Sequence, residues 1–283
     1  MKAAVTGCKG QLGTDVVTAL EKLNIEVAGA DLPEVDITDS ASVRAFLEKE
    51  KPDFVIHLAA YTAVDRAESE KDLCRMVNSA GTENIAVICG EKDIPLLYTS
   101  TDYVFGSDDD SFRETDSPVA PCNYYGQTKL EGEEAVRKYC RKHFIVRISW
   151  VFGLNGKNFV YTVLRLAETH DAIDVVSDQI GSPTFTQDLA NLICEMVRSE
   201  KYGTYHATNE GVCSWAEFAE EIIRLSGRNT VIRPISTSEY KTDAVRPLNS
   251  RLSKKSLDEG GFSRLPHWKD ALERFMIQAG IAE

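Results

Sequence analysis

The stretch "KAAVTGCKGQLG", residues 2–13, constrains the fold of this chain more than any other. A short apolar run ends in glycine, and Gly7, Gly10 and Gly13 then recur at every third position. Directly behind them, "QLGTDVVTALEKLN" places Leu12, Val16, Leu20 and Leu23 on one face of a helix. The order is strand, glycine turn, helix. Glycines permit a tight turn and close approach of backbone to a pyrophosphate, and a helix N-terminus attracts that anion. The spacing is G-x-x-G-x-x-G rather than G-x-G-x-x-G, so a turn with no ligand is the alternative. The position, between a first strand and a first helix, supports the binding of a dinucleotide by Gly7, Gly10, Gln11, Leu12 and Gly13.

The alternation continues. "IEVAGAD" reads as a second strand and "DSASVRAFLEKEK" as a helix capped by Asp39 or Ser40. "DFVIHLAA" is a third strand, residues 68–93 a long helical stretch, and "IPLLYTST" a fourth strand. A helix through Tyr125 and Lys129 and a fifth strand, "HFIVRISWVFG", complete the series. Strands alternating with helices, and apolar almost throughout, predict an α/β fold with a doubly wound parallel (Rossmann-type) sheet covered on both faces. Residues 1–150 form the dinucleotide-binding domain in this reading. Residues 151–283 form mainly a smaller C-terminal substrate-binding lobe, with about 185–207 returning to the first domain. Helices are expected at 157–169, 185–199 and 214–226, and short strands near 173–176, 203–207 and 231–235.

Composition removes several classes. The net charge of −12 over 283 residues argues against a long contact with nucleic acid or an anionic membrane surface. No apolar run approaches the roughly 18 residues of a membrane span. The seven cysteines contain no C-x-x-C pair, which removes the usual zinc and dithiol motifs and suits reduced thiols in the cytoplasm.

In a doubly wound fold ligands bind at the carboxyl ends of the strands. Asp31 closes the second strand. Its carboxylate suits the ribose hydroxyls of an adenosine and repels a 2′-phosphate, and nothing basic in "GADLPEVD" offsets that; a solvated turn residue is the other reading. Asp36 is either a helix-entry residue or faces the adenine edge, with Ile37 beside it. The third strand ends in "LAAYT", whose Ala59, Ala60, Tyr61 and Thr62 border the cofactor path. The fourth ends in "TSTDYVFG", with Ser100 and Thr101 hydroxyls at the crevice. Tyr125 and Lys129 are four apart and share a helix face. A phenol beside an ammonium is a way to build a proton donor.

Together these motifs resemble the extended short-chain dehydrogenases/reductases. Within them, "STDYVFG", "YYGQTKLEGE", "RISWVFG", "DQIGSPT" and "RPLNSRL" resemble the dTDP-4-dehydrorhamnose reductase family, in order and through about residue 252. The resemblance implies hydride transfer from NADH or NADPH to the C4 ketone of dTDP-4-dehydro-6-deoxy-L-mannose, giving dTDP-L-rhamnose. It makes Tyr125 the proton donor and Tyr124 a packing neighbour. Lys129 would hold the nicotinamide ribose and lower the phenol's pKa, and Thr101 would orient the carbonyl oxygen. Asp102, Tyr103, Trp150 and Arg246 would contact the nucleotide sugar; core burial for Trp150 and solvation for Arg246 are the alternatives. Some relatives bind magnesium at a dimer interface through a glutamate where this chain has Gln187, so no metal and a monomer or weak homodimer are expected. Rival readings are another 4-keto nucleotide-sugar reductase, an epimerase, or a non-catalytic regulatory subunit like that of methionine adenosyltransferase. The intact Thr101, Tyr125 and Lys129 set argues against the last.

Overall fold

The computed structural model describes residues 1–106 and 109–282. The first half runs β1 (Lys2–Thr6), α1 (Gln11–Lys22), β2 (Glu26–Ala30), α2 (Ser40–Glu50), β3 (Phe54–His57), α3 (Val64–Ala67), α4 (Lys71–Arg75), α5 (Thr82–Glu91), β4 (Leu96–Thr101), α6 (Tyr124–Tyr139) and β5 (His143–Ile148). The second half runs β6 (Val151–Phe152), α7 (Phe159–Leu166), β7 (Ala172–Val176), β8 (Ile180–Gly181), β9 (Thr184–Phe185), α8 (Thr186–Met196), β10 (Gly203–His206), β11 (Asn209–Glu210), β12 (Cys213–Ser214), α9 (Trp215–Leu225), β13 (Val231–Ile235), β14 (Asn249–Ser250), α10 (Lys255–Gly260), β15 (Leu265–His267) and α11 (Trp268–Gln278).

The main sheet has the order β10-β5-β4-β3-β1-β2, and every neighbouring pair is parallel. The order reverses at β1 and β3, which opens a crevice beyond their carboxyl ends. The strands carry apolar side chains on both faces because both are covered. Leu12, Val16 and Leu20 of α1 meet Leu189, Leu192 and Ile193 of α8 on one side. Val43, Leu47, Ile85, Ile88 and Val136 cover the other. A separate cluster around Phe152, Phe185, Phe218, Trp268 and Phe275 fills the C-terminal half.

Several elements differ from the sequence expectation. The long helical stretch expected at 68–93 is continuous from Lys71 to Glu91, but α4 passes through a π-helical turn over Met76–Gly81 before α5. The turn seats Asn78, which is buried and occupied by tertiary hydrogen bonds. The fifth strand breaks at Trp150, whose φ of 48° takes the chain out of the sheet before β6 pairs with β9. The third strand stops at His57, short of the run to Ala60. The helices α10 and α11 and the two-residue strands lie outside the sequence expectation. Among the described residues no helix is long and apolar enough to cross a membrane.

Candidate active site

A cavity of about 1100 Å³ runs along the carboxyl ends of the strands. That exceeds the volume of a typical single-ligand pocket, about 300–1,000 Å³. The glycine turn forms one end. Gly7 has a φ of +70° and lies against the segment that leaves β3, where an added Cβ would stand 2.7 Å from the Ala59 amide nitrogen. An added Cβ at Gly13 would stand 1.9 Å from the Gly7 carbonyl oxygen, so the helix can start this close to the turn only with glycine. Gly10 caps α1 without a side-chain hydrogen bond, which leaves the first-turn amides to attract an anion. Gln11 and Leu12 complete this wall. A backbone cradle that any Cβ would fill fits the pyrophosphate of a dinucleotide.

Asp31, Asp36 and Ile37 follow on the same wall, as do Ala59, Ala60 and Thr62. Asp31 Oδ2 accepts the Lys9 amide at 2.8 Å and the Cys8 thiol at 3.1 Å, tying the second strand's tip to the glycine turn. The Asp36 carboxylate accepts both the amide and the hydroxyl of Thr38, the hydrogen bonds of a helix-entry turn, and these hold it below the usual carboxylate range. Tyr61 stands off the cavity wall: its hydroxyl donates to Glu70 at 2.6 Å.

The other end holds Thr101, Asp102, Tyr103, Tyr125, Lys129 and Trp150. Asn123 caps α6 through the Gly126 amide at 2.8 Å and sets Tyr125 in the helix's first turn. The two adjacent tyrosines diverge. Tyr125 faces the cavity and meets the Tyr103 ring edge-on at 5.9 Å; Tyr124 lies under the Lys71 ammonium, 5.3 Å from its ring centroid, off the wall. Lys129, 2% exposed, donates to the Thr99 carbonyl at 2.8 Å and sits 4.1 Å over the Tyr98 ring. Thr101 donates to Asp102 Oδ1 at 3.0 Å and accepts the Tyr103 amide. Asp102 Oδ2 has no hydrogen-bond partner among the described residues.

The electrostatics follow from burial. Burial pushes the Tyr125 phenol up, and the Asp102 charge adds to that, against the Thr101 hydroxyl. The Lys129 ammonium hydrogen-bonds the Thr99 carbonyl rather than the phenol. The phenol therefore stays protonated at neutral pH, as a donor must. Burial drives Lys129 down to about 7. It drives Asp102 up to about 6; the Ser250 hydroxyl is near enough to favour the ionised form without closing a hydrogen bond.

Trp150 stacks on Trp215 at 3.7 Å and 13°, and Phe159 leans on Trp215 at 4.6 Å. All three line the cavity, making an apolar wall at its outer end. Arg246 is not on the cavity wall but stands near enough to Tyr103 for its charge to act on that phenol, and it grips Asp65 bidentately at 2.7 and 3.0 Å. Gln187 donates to Gln278 at 2.7 Å.

Several residues of the site escaped the sequence reading. Asn78 holds both the amide and the carbonyl of Tyr61 and also reaches Thr128, joining the third strand's tip to α6. Its one sequence signal is an asparagine inside a helical pattern, where it is a poor former. Lys9, Lys157 and Trp215 also line the cavity, and no local pattern marks them.

The family described as RmlD substrate binding domain matches residues 1–280. The chain is 40% identical to the spore coat polysaccharide biosynthesis protein SpsK of Bacillus subtilis (strain 168), over 99% of each chain. Its fold is similar to that of a dTDP-4-dehydrorhamnose reductase of Clostridium acetobutylicum, with a TM-score of 0.97, 38% identity, and 99% and 100% of the two chains covered. The dTDP-4-dehydrorhamnose reductase of Bacillus anthracis, solved in complex with NADP, gives a TM-score of 0.95 at 39% identity, covering 98% and 99%. With turn, strand tips and tyrosine helix in one cavity and the match spanning nearly all of its length, the chain belongs to the RmlD family, that of the dTDP-4-dehydrorhamnose reductases.

Proposed function

We propose that this chain reduces the C4 ketone of dTDP-4-dehydro-6-deoxy-L-mannose to dTDP-L-rhamnose, with Tyr125 as proton donor. The observation that carries the reading is the single cavity joining the glycine turn, the Thr101, Tyr125 and Lys129 group and the apolar Trp150 wall. A reduced nicotinamide, NADH or NADPH, supplies the hydride when bound. Gly7, Gly10 and Gly13 with the N-terminus of α1 hold its pyrophosphate, and Asp31 faces its adenosine ribose. Thr101 orients the ketone oxygen. The Tyr125 hydroxyl gives that oxygen a proton as the carbon receives the hydride, and the Lys129 ammonium stabilises the phenolate left behind. Trp150 offers an aromatic face to the C–H side of the deoxysugar.

Loss of nicotinamide absorbance, followed with a panel of 4-keto nucleotide sugars, tests this directly. General acid catalysis contributes typically about 10²–10⁴-fold. Tyr125→Phe is therefore expected to lower kcat by about that factor, with cofactor affinity little changed, while Tyr124→Phe is mild. Equal effects of the two substitutions would overturn the assignment. Faster turnover of a stereoisomeric ketosugar would keep the chemistry and change the substrate.

A further inference from the structure

Tyr125, Lys129 and Glu133 stand four apart along α6 and form one ridge. The first two line the cavity. Glu133 does not; it is 0% exposed. A buried carboxylate is costly unless it is paired and hydrogen-bonded, and this one is held at both oxygens. Arg147 of β5 donates Nε to Oε1 and Nη2 to Oε2, each at 2.8 Å. Arg137 adds a further donor to Oε2 at 2.8 Å. Arg147 is also buried and gives Nη1 to the Thr115 carbonyl at 3.1 Å. By contrast, the hydrogen-bond and ring partners of Lys129 are a neutral carbonyl and a neutral ring.

We propose that Glu133 is a positioning residue for the reaction: the buried counter-ion of Lys129, shared with Arg147, that keeps the ammonium charged on the helix face of Tyr125. This rests on the reductive reading above. After burial itself, which lowers Lys129, the largest influence on the ammonium is the Glu133 carboxylate, which raises it. Burial pushes Glu133 up, but Arg147, Ser100 and Arg137 outweigh it and leave the carboxyl below its ordinary value. It is thus ionised throughout the neutral range.

The other groups around Lys129 carry no charge there. Burial raises the Cys74 thiol of α4, the Tyr98 phenol of β4 and the Tyr125 phenol, and takes His57 of β3 down to about 3. Near Glu133, His206 of β10 is likewise driven down to about 3, and Arg147 and Arg137 are the facing cations. Asp102 acts on Tyr125 rather than on Lys129.

The test uses the pair variant Glu133→Gln/Arg147→Gln, which removes both buried charges and so leaves neither unpaired. A cation that loses its counter-ion releases its proton more readily. Lysine side-chain NMR of the cofactor-free protein should therefore show Lys129 titrating about one pH unit lower or more. The alkaline limb of the kcat profile should move down with it, at a cost that grows from about twofold near pH 6 to about tenfold near pH 8. Arg147→Gln alone leaves Glu133 ionised on Arg137, so Lys129 should titrate no lower than in the wild type. A folded pair variant whose kcat falls equally at every pH, with Lys129 titrating unchanged, would reduce Glu133 to a structural bolt and overturn the proposal. If the pair variant does not fold, a lowered Lys129 titration in Arg147→Gln overturns it. Absence of turnover in the wild type would strike the reductive reading, while the NMR titration still decides the counter-ion.

Discussion

Asp31 ties down the glycine turn and also lines the cavity. Its Oδ2 accepts the Lys9 amide at 2.8 Å, and the Lys9 ammonium lies 3.4 Å from Glu34. The glycine turn thus gives Asp31 a backbone amide, while the lysine's charge goes to Glu34. On the proposed reading the Asp31 carboxylate favours ribose hydroxyls over a 2′-phosphate; the Bacillus anthracis relative was solved with NADP. The prediction is that NADH is used at least as well as NADPH in kcat/KM, with residual NADPH activity. Asp31→Asn removes the charge yet keeps an acceptor for the Lys9 amide, so it separates the two roles. It should shift the ratio towards NADPH by roughly 5–30-fold, about 1–2 kcal/mol, and more at low salt. A wild type that prefers NADPH tenfold, or a ratio that Asp31→Asn leaves alone, would remove Asp31 from cofactor choice.

Among the elements, α2 shows what a local pattern can carry. Its start could be read as Asp39 or Ser40; the structure makes Asp39 the cap, accepting the Ala41 amide at 2.9 Å. Asp39→Ala should lower the unfolding free energy by about 1 kcal/mol, and Ser40→Ala much less. Equal losses in denaturant titrations would return the cap to ambiguity. The alternating strands and helices of the first half were legible because each rests on its own apolar period. The turn glycines and, Tyr61 excepted, the strand-tip residues lie along the cavity wall. The rest depends on partners distant in sequence. "RISWVFG" looks like one strand, since nothing local announces that Trp150 adopts φ 48° and stacks on the distant Trp215. Strands of two residues, such as β8 between β12 and β14, exist only through their neighbours. The π-helical turn answers to the tertiary bonds of Asn78. The helix α11 is different, because its signal is local: Trp268, Leu272, Phe275 and Met276 have ordinary helical spacing and are all buried.

At the scale of the whole molecule, buried titratable groups give folding a pH dependence with opposing parts. Burial, with the nearby Lys129 charge, takes His57 from 6.5 to about 3; burial, with Arg147 and Lys254, does the same to His206. Each is neutral in the folded chain at a pH where the unfolded chain binds a proton. Their contribution is therefore lost as pH falls from about 6.5 towards 3. Asp102 has the opposite sign. Burial raises it from 3.8 to about 6, so the folded chain holds a proton there that the unfolded chain has released, and stability is gained as pH falls through 6. Near about pH 5 the unfolded state thus binds two protons more at the histidines and one fewer at the aspartate. Over these three groups the net of one proton contributes a loss of about 1.4 kcal/mol per pH unit on acidification. Asp102→Asn keeps the shape and removes the compensating group. It should steepen that loss to about 2.7 kcal/mol per pH unit, while making the protein no less stable at neutral pH, where the wild type buries an ionised carboxylate. The measurement is a series of denaturant unfolding curves from neutral pH to about pH 4.5 for both proteins. Parallel pH dependences would mean that Asp102 is ionised throughout that range in the folded chain, and that its unpartnered oxygen is hydrated rather than protonated.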